Sequence, residues 1–123
     1  MRSFYFSLDR LIMKGESQMS NIGVWEAAEP GVQRCILKAE VGLMMMEVHF
    51  EPGAIGYQHS HVHEQMSYCL KGKIEFTIDG VVTVIEKGQT VYIPSNAKHG
   101  VTALEESALL DVFTPIREDL VKR

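Results

Sequence analysis

Several features are scarce or missing in this chain, and each absence narrows the field. There are only two cysteines, Cys35 and Cys69, and no C-x-x-C pair. A disulfide between them is possible but unneeded in a reducing cytosol, and both cysteines read as small buried hydrophobes. No apolar run approaches the roughly 18 residues of a membrane span, so no membrane partner is expected. The net charge is −4 with no basic block, which argues against nucleic acid as a partner. The sequence also lacks internal repeats, low-complexity tracts and linkers. Its 123 residues, 46% hydrophobic and 23% charged, fit a single globular domain with one good core.

The N-terminus, Met1-Arg2-Ser3-Phe4-Tyr5-Phe6, starts like a signal peptide. Asp9 and Arg10 then interrupt the apolar stretch and no small-residue cleavage site follows, so a cytoplasmic location is expected. Met13 and Met19 are alternative starts. Residues 1–20 are therefore read as a start-site extension or an arm lying against a neighbouring subunit, and residues 21–123 as the domain proper.

Short β-like runs separated by turn residues dominate from about residue 32 onward. Strands are expected over 33–39, 43–50, 65–70, 73–78, 81–85, 90–93, 99–103 and 108–114. Within the second, Met44, Met46, Val48 and Phe50 alternate with Met45, Glu47 and His49, the period of a strand with one buried face. Asp79-Gly80 between two β-like runs is a strong two-residue hairpin signal. Such spacing with Gly-rich turns predicts an all-β antiparallel sandwich or barrel. Only the tail, 116–122, has helical periodicity, and it is read as a short helical or extended segment. The Met44-Met45-Met46 run is assigned to core and strand surface.

What the chain does have is a concentration of imidazole. Of five histidines, three fall at His59, His61 and His63, with Gln65 continuing the alternation. Side chains two apart on a strand share a face, so one strand is expected to offer several ligands to one side. His99 follows a Pro-Ser-Asn turn and would come from a second, neighbouring strand. Nitrogen ligands of this kind suit a divalent transition metal such as Zn, Ni, Fe or Mn. His63 would be one inward group too many for a simple site. It is expected to be turned away by a bulge, to support the ligands from behind or to touch substrate. His49 shares a face with Glu47 and Glu51 and is expected to point outward.

These residues carry a family resemblance. Gly53-x5-His59-x-His61-x3-Gln65-x6-Gly72 resembles the first cupin motif, and Gly88-x5-Pro94-x-Asn96-x2-His99 the second, with the short spacing of small cupins between them. Gln65 stands where the motif usually has glutamate, Asn96 where it has glycine and Ala103 where it has asparagine. Further segments extend the likeness: Glu47-Val-His-Phe-Glu-Pro-Gly, His-Ser-His-x-His-Glu-Gln, Ile93-Pro-Ser-Asn and Leu110-Asp-Val-Phe-Thr-Pro-Ile-Arg117. From about residue 32 to 120 the chain resembles the KdgF-type cupins of pectin and alginate breakdown.

The resemblance implies a jelly-roll barrel, usually homodimeric, with one metal in its mouth held by His59, His61, Gln65 and His99. It implies conversion of 4,5-unsaturated monouronates to linear keto-deoxyuronates by ring opening and ketonisation. The family's Asp-x-Phe-x3-Arg maps onto Asp111, Phe113 and Arg117.

Three imidazoles and an amide are all neutral, so a bound ion would keep its full charge, which favours Lewis-acid chemistry on a sugar acid. Asp111 lies in an otherwise apolar strand, where a carboxylate is costly unless paired or used, and is the candidate acid/base. Arg117 is the candidate clamp for a uronate carboxylate. Phe113 would stack on the sugar, and Gln58 and Tyr68 would contact substrate at the mouth. Two other functions compete with this one: a metal-dependent dioxygenase acting on another small molecule, and a small-molecule-sensing cupin module.

Overall fold

A computed structural model of the chain describes residues 20–123. Apart from Ser20, the expected N-terminal arm over 1–20 lies outside the described residues. Ten strands follow: β1 (Trp25–Glu29), β2 (Val32–Ala39), β3 (Met44–Phe50), β4 (Ile55–His59), β5 (Glu64–Lys71), β6 (Lys73–Ile78), β7 (Val81–Glu86), β8 (Thr90–Ile93), β9 (His99–Ala103) and β10 (Ser107–Thr114). The eight expected strands are present to within a residue. Sequence patterning missed β1 and did not separate β4, because Gly56, Gln58 and His59 carry no strand-like alternation of apolar residues.

The strands form two sheets, ordered β1-β2-β3-β10-β5-β8 and β4-β9-β6-β7. Strands β3, β10, β5 and β8 make one half of a jelly roll and β4, β9, β6 and β7 the other, while β1 and β2 extend the first sheet. One hydrophobic cluster joins the halves, with Met44, Met46, Val48, Phe76, Ile85, Ile93, Leu109 and Phe113 among its members. The alternation read in β3 holds, since all four of its even-numbered residues are buried. Cys35 and Cys69 are buried free thiols.

Two turns behave as their residues require. Asp79 and Gly80 both have positive φ, 47° and 82°, which matches the right-handed twist of the β6–β7 hairpin. Asn96 takes φ 67°, a conformation asparagine tolerates better than most residues. The tail is extended with a turn near Glu118, not a helix. Among the described residues no helix is long and apolar enough to cross a membrane.

Register sets the inner wall of the larger sheet. In one layer Asp111 pairs with Met46 on one side and Ser67 on the other, and Met46 pairs with Ile36. In the next layer Phe113 lies between Met44 and Gln65, and Gln65 pairs with Ile93. Asp111, Ser67 and Gln65 are thus the polar members of these two layers.

Candidate functional site

His59, His61 and His99 come together. A ligand nitrogen from each lies within 4.8 Å of the other two. They do not share one strand face, as the alternation had suggested. His59 ends β4, His61 lies in the connection over 60–63, and Gln65 is the second residue of β5 on the opposite sheet. The chain crosses from one sheet to the other between them, so the corner of the jelly roll makes the ligands converge. His99 lies beside His59 in the β4–β9 ladder.

Each ring is fixed in the same way. Nδ1 of His59 donates to the Tyr57 carbonyl at 2.9 Å, Nδ1 of His99 to Ala97 at 2.9 Å, and Nδ1 of His61 to His63 at 3.0 Å. In the neutral form of each ring, Nδ1 then holds the proton and Nε2 carries the lone pair. Nε2 of His99 is buried with no hydrogen-bond partner, an orphan that a metal would satisfy. Burial lowers the His99 pKa to about 4 and also lowers that of His61, with the Arg117 charge adding to it. Both are therefore neutral and ligand-competent at pH 7.

Gln65 is oriented toward the same space. Its Nε2 donates to Ser67 Oγ at 3.0 Å, and Ser67 donates to Asp111 Oδ1 at 2.6 Å. That leaves the Gln65 carbonyl Oε1 3.1 Å from His61 Nε2. With Nδ1 holding the proton, both atoms are acceptors, and two lone pairs facing each other call for a cation. These donors fit a divalent transition metal. Sequence reading missed Ser67, the fully buried link between Gln65 and Asp111. It could have been found as a small polar residue two positions from Gln65 on the same strand face.

Asp111 is buried and forms no ion pair among the described residues. Loss of solvent raises its pKa to about 6, against the lowering effect of hydrogen bonds from Ser67 and Gln65 and of the Arg117 charge. Arg117 is itself buried, not a solvated surface residue. Its Nε and Nη2 donate to Asp119 at 3.0 and 2.8 Å, and this pairing holds the Asp119 carboxyl below its usual range. The guanidinium carbon lies 5.3 Å from the centre of the Phe113 ring, within cation–π reach. Phe113, 1% exposed, meets the His61 ring edge-on at 5.8 Å.

A cavity of about 300 Å³ runs between the sheets, lined among others by Gln58, His59, Gln65, Asp111, Phe113 and Arg117. Tyr68 does not belong to it. On β5 the inward residues are Gln65, Ser67 and Cys69, so pleating sends Tyr68 to the outer face, where it is 41% exposed. His63 supports the site from behind. Its carbonyl anchors His61, and its Nε2 donates to the Ile116 carbonyl at 3.1 Å, which ties the C-terminal tail to the ligand bend. His49 faces outward and bonds Glu47 at 2.6 Å.

Comparison with known proteins agrees with this fold. The family model described as the cupin domain matches residues 46–113. The pectin degradation protein KdgF of Dickeya dadantii (strain 3937) is 39% identical over 99 residues, which cover 79% of this chain and 90% of that protein. The structure of KdgF from Halomonas sp. superposes with a TM-score of 0.75 at 36% identity, covering 78% of this chain and 89% of the other. An RmlC-like cupin from Shewanella frigidimarina NCIMB 400 also gives 0.75, at 32% identity over 83% and 96% of the two chains. The matched segment contains every histidine of the cluster together with Gln65 and Asp111, and with that the chain belongs to the cupin family and is similar over most of its length to the pectin degradation protein KdgF.

Proposed function

We propose that this chain is a metal-dependent enzyme that converts 4,5-unsaturated monouronates from pectin or alginate breakdown into linear keto-deoxyuronates. The observation that carries this reading is a cluster of three converging imidazoles with the Gln65 amide oxygen facing one of them, at a cavity lined by His59, Gln65, the buried Asp111 carboxyl and the buried Arg117 guanidinium. A volume of about 300 Å³ suits a single sugar acid better than a polymer. The likeness to a pectin degradation protein points to the same class of substrate.

The ion that His59, His61, Gln65 and His99 would hold supplies Lewis-acid polarisation of a substrate oxygen. The remaining steps fall to the chain itself. Asp119 occupies the Nε edge of Arg117, which leaves Nη1 and the second Nη2 hydrogen for the substrate carboxylate. Phe113 forms an apolar wall beside it, and the expected stacking on the sugar ring is assigned there.

Asp111, with its pKa raised to about 6, can accept a proton and return it near neutral pH. In ring opening the anomeric hydroxyl loses a proton, the ring C–O bond breaks and its electron pair stays on the ring oxygen as the enol. The enol then becomes the ketone as C4 takes up a proton. Atoms balance without a co-reactant, because the product is an isomer of the substrate. Asp111 is assigned the proton transfer.

The deciding experiment follows the ultraviolet absorbance of the conjugated C4–C5 double bond with purified, metal-loaded protein. Catalysed loss of that signal, abolished by a chelator and restored by metal, supports the reading. Loss no faster than the spontaneous reaction, with metal present in the protein, overturns it.

A further inference from the structure

The cavity has a second cationic residue that the mechanism does not use. We propose that Arg34 forms a separate subsite in which its guanidinium donates to the hydroxyl oxygens of the bound sugar acid. This rests on the uronate reading above and specifies how the non-reacting end of the substrate is recognised.

The placement follows from the pleat. On β2, Val32 and Ile36 are core residues at 3% and 1% exposure. Arg34 lies between them, so its side chain leaves the strand on the same inward side. It pairs with Val48, which pairs with Leu109, the barrel layer next to the one containing Asp111. An arginine in an otherwise apolar row is costly unless its donors are used. Arg34 lines the cavity, and its Nε is buried without a hydrogen-bond partner.

The two arginines differ in what they lack. Arg117 has its charge and its Nε donor engaged by Asp119 at hydrogen-bonding distance. Arg34 faces Glu26 at 3.8 Å, close enough to balance charge and too far for a hydrogen bond. Glu26 also approaches Lys122 at 3.7 Å and accepts from Asn21 at 3.4 Å. A cation whose charge is already balanced but whose donor has no acceptor suits a neutral oxygen, as in a sugar hydroxyl, more than a carboxylate.

Glu29 of β1 also lines the cavity. One of its oxygens accepts from the Tyr57 amide at 3.3 Å, so the carboxylate is held in place as an acceptor for a hydroxyl proton.

The test compares metal-loaded wild type, Arg34→Met and Arg34→Lys. Steady-state kinetics on an unsaturated monouronate are paired with calorimetric binding of galacturonate and its analogues lacking the C2 or C3 hydroxyl. Arg34→Met is expected to raise KM about tenfold or more, as for loss of a charge-assisted hydrogen bond, with a smaller change in kcat and unchanged metal content. Wild type should bind galacturonate more tightly than at least one deoxy analogue, and Arg34→Met should bind them alike. An unchanged KM together with hydroxyl discrimination equal to wild type overturns the proposal, as does a wild type that does not discriminate.

Should Arg34→Met fail to fold, Arg34→Lys decides, since it keeps the charge and loses the Nε donor: lost discrimination supports the subsite and retained discrimination overturns it. If wild type turns over no uronate, the enzymatic reading falls by itself, and the calorimetric comparison still decides the role of Arg34.

Discussion

The two walls of the site are built on opposite principles. The histidine wall stands where strands end and the chain turns. Its rings are held one by one by backbone carbonyls at 2.9–3.0 Å, and it ranges from exposed at His59 to buried at His99. The carboxyl wall lies in mid-strand at the centre of the larger sheet, where Asp111 is held through Ser67 and Gln65 by a side-chain relay closed to solvent.

The difference follows from the task each wall is proposed to perform. Ligands need fixed lone pairs and an open approach, and backbone carbonyls give both without further charge. A group that must take up and release a proton near neutrality needs its pKa moved, and burial moves it. Gln65 joins the walls, with its amide nitrogen in the relay and its oxygen facing the imidazoles.

The largest break in this comparison is expected from His99→Ala on the histidine wall. Loss of supporting groups around ligands already costs 10–100-fold in affinity, so removing a ligand should weaken metal binding more than about 100-fold and abolish turnover. Dialysis followed by metal analysis checks it; full metal occupancy in the variant would remove His99 from the ligand set.

Next in size is Asp111→Asn on the other wall. Turnover should fall about 10²–10⁴-fold, the range for loss of a general acid/base, with metal content intact, which separates the walls cleanly. The same variant carries a stability signature. The folded-state pKa of Asp111, about 6, lies above its ordinary 3.8, so the native chain holds this proton more tightly than the unfolded one. Stability from that proton is complete below about pH 4 and is lost as pH rises through about 4–6. Metal-free Asp111→Asn should therefore be more stable than metal-free wild type by about 2–3 kcal/mol above pH 6 and show no gain below pH 4. Urea unfolding at several pH values measures this, and a pH-independent difference would contradict the burial account.

A smaller and sharper effect is expected from Ser67→Ala, which opens the relay and leaves both walls standing. Ser67 lowers the Asp111 pKa through its hydrogen bond, so its removal should shift the acid limb of the pH–rate profile upward. It should also cost about 1–3 kcal/mol of stability from unsatisfied buried groups. An acid limb that stays in place would exclude Asp111 as its source.

The smallest effect is expected from His49→Ala, a control on the fifth histidine. It is exposed, bonded to Glu47 and packed on Trp25 with ring centroids 4.3 Å apart. Metal content should be unchanged and stability altered by less than about 1 kcal/mol; a lost metal would place His49 in the site.

Much of this was legible in the residues. Binary alternation in β3, the Asp79-Gly80 hairpin and the apolar runs on both sides of Asp111 specify strands and faces, because they depend only on local pleating and turn geometry. The cluster of imidazoles and the cost of a carboxylate among apolar neighbours likewise follow from residue type and spacing. Three matters depended on long-range pairing. The ligand-bearing stretch looked like one strand and is a corner between two sheets, since strand continuity is decided by which partner each backbone finds. Tyr68 looked able to line the mouth, and the register of β5 against β10 turned it outward. Ser67 and Arg34 have ordinary local settings and gain meaning only from the residues opposite them, Asp111 in one case and the cavity in the other. Local chemistry thus determined which residue types were present and which of them shared a strand face. Sheet order and register, fixed by burying one core between two sheets, decided which of those faces meet.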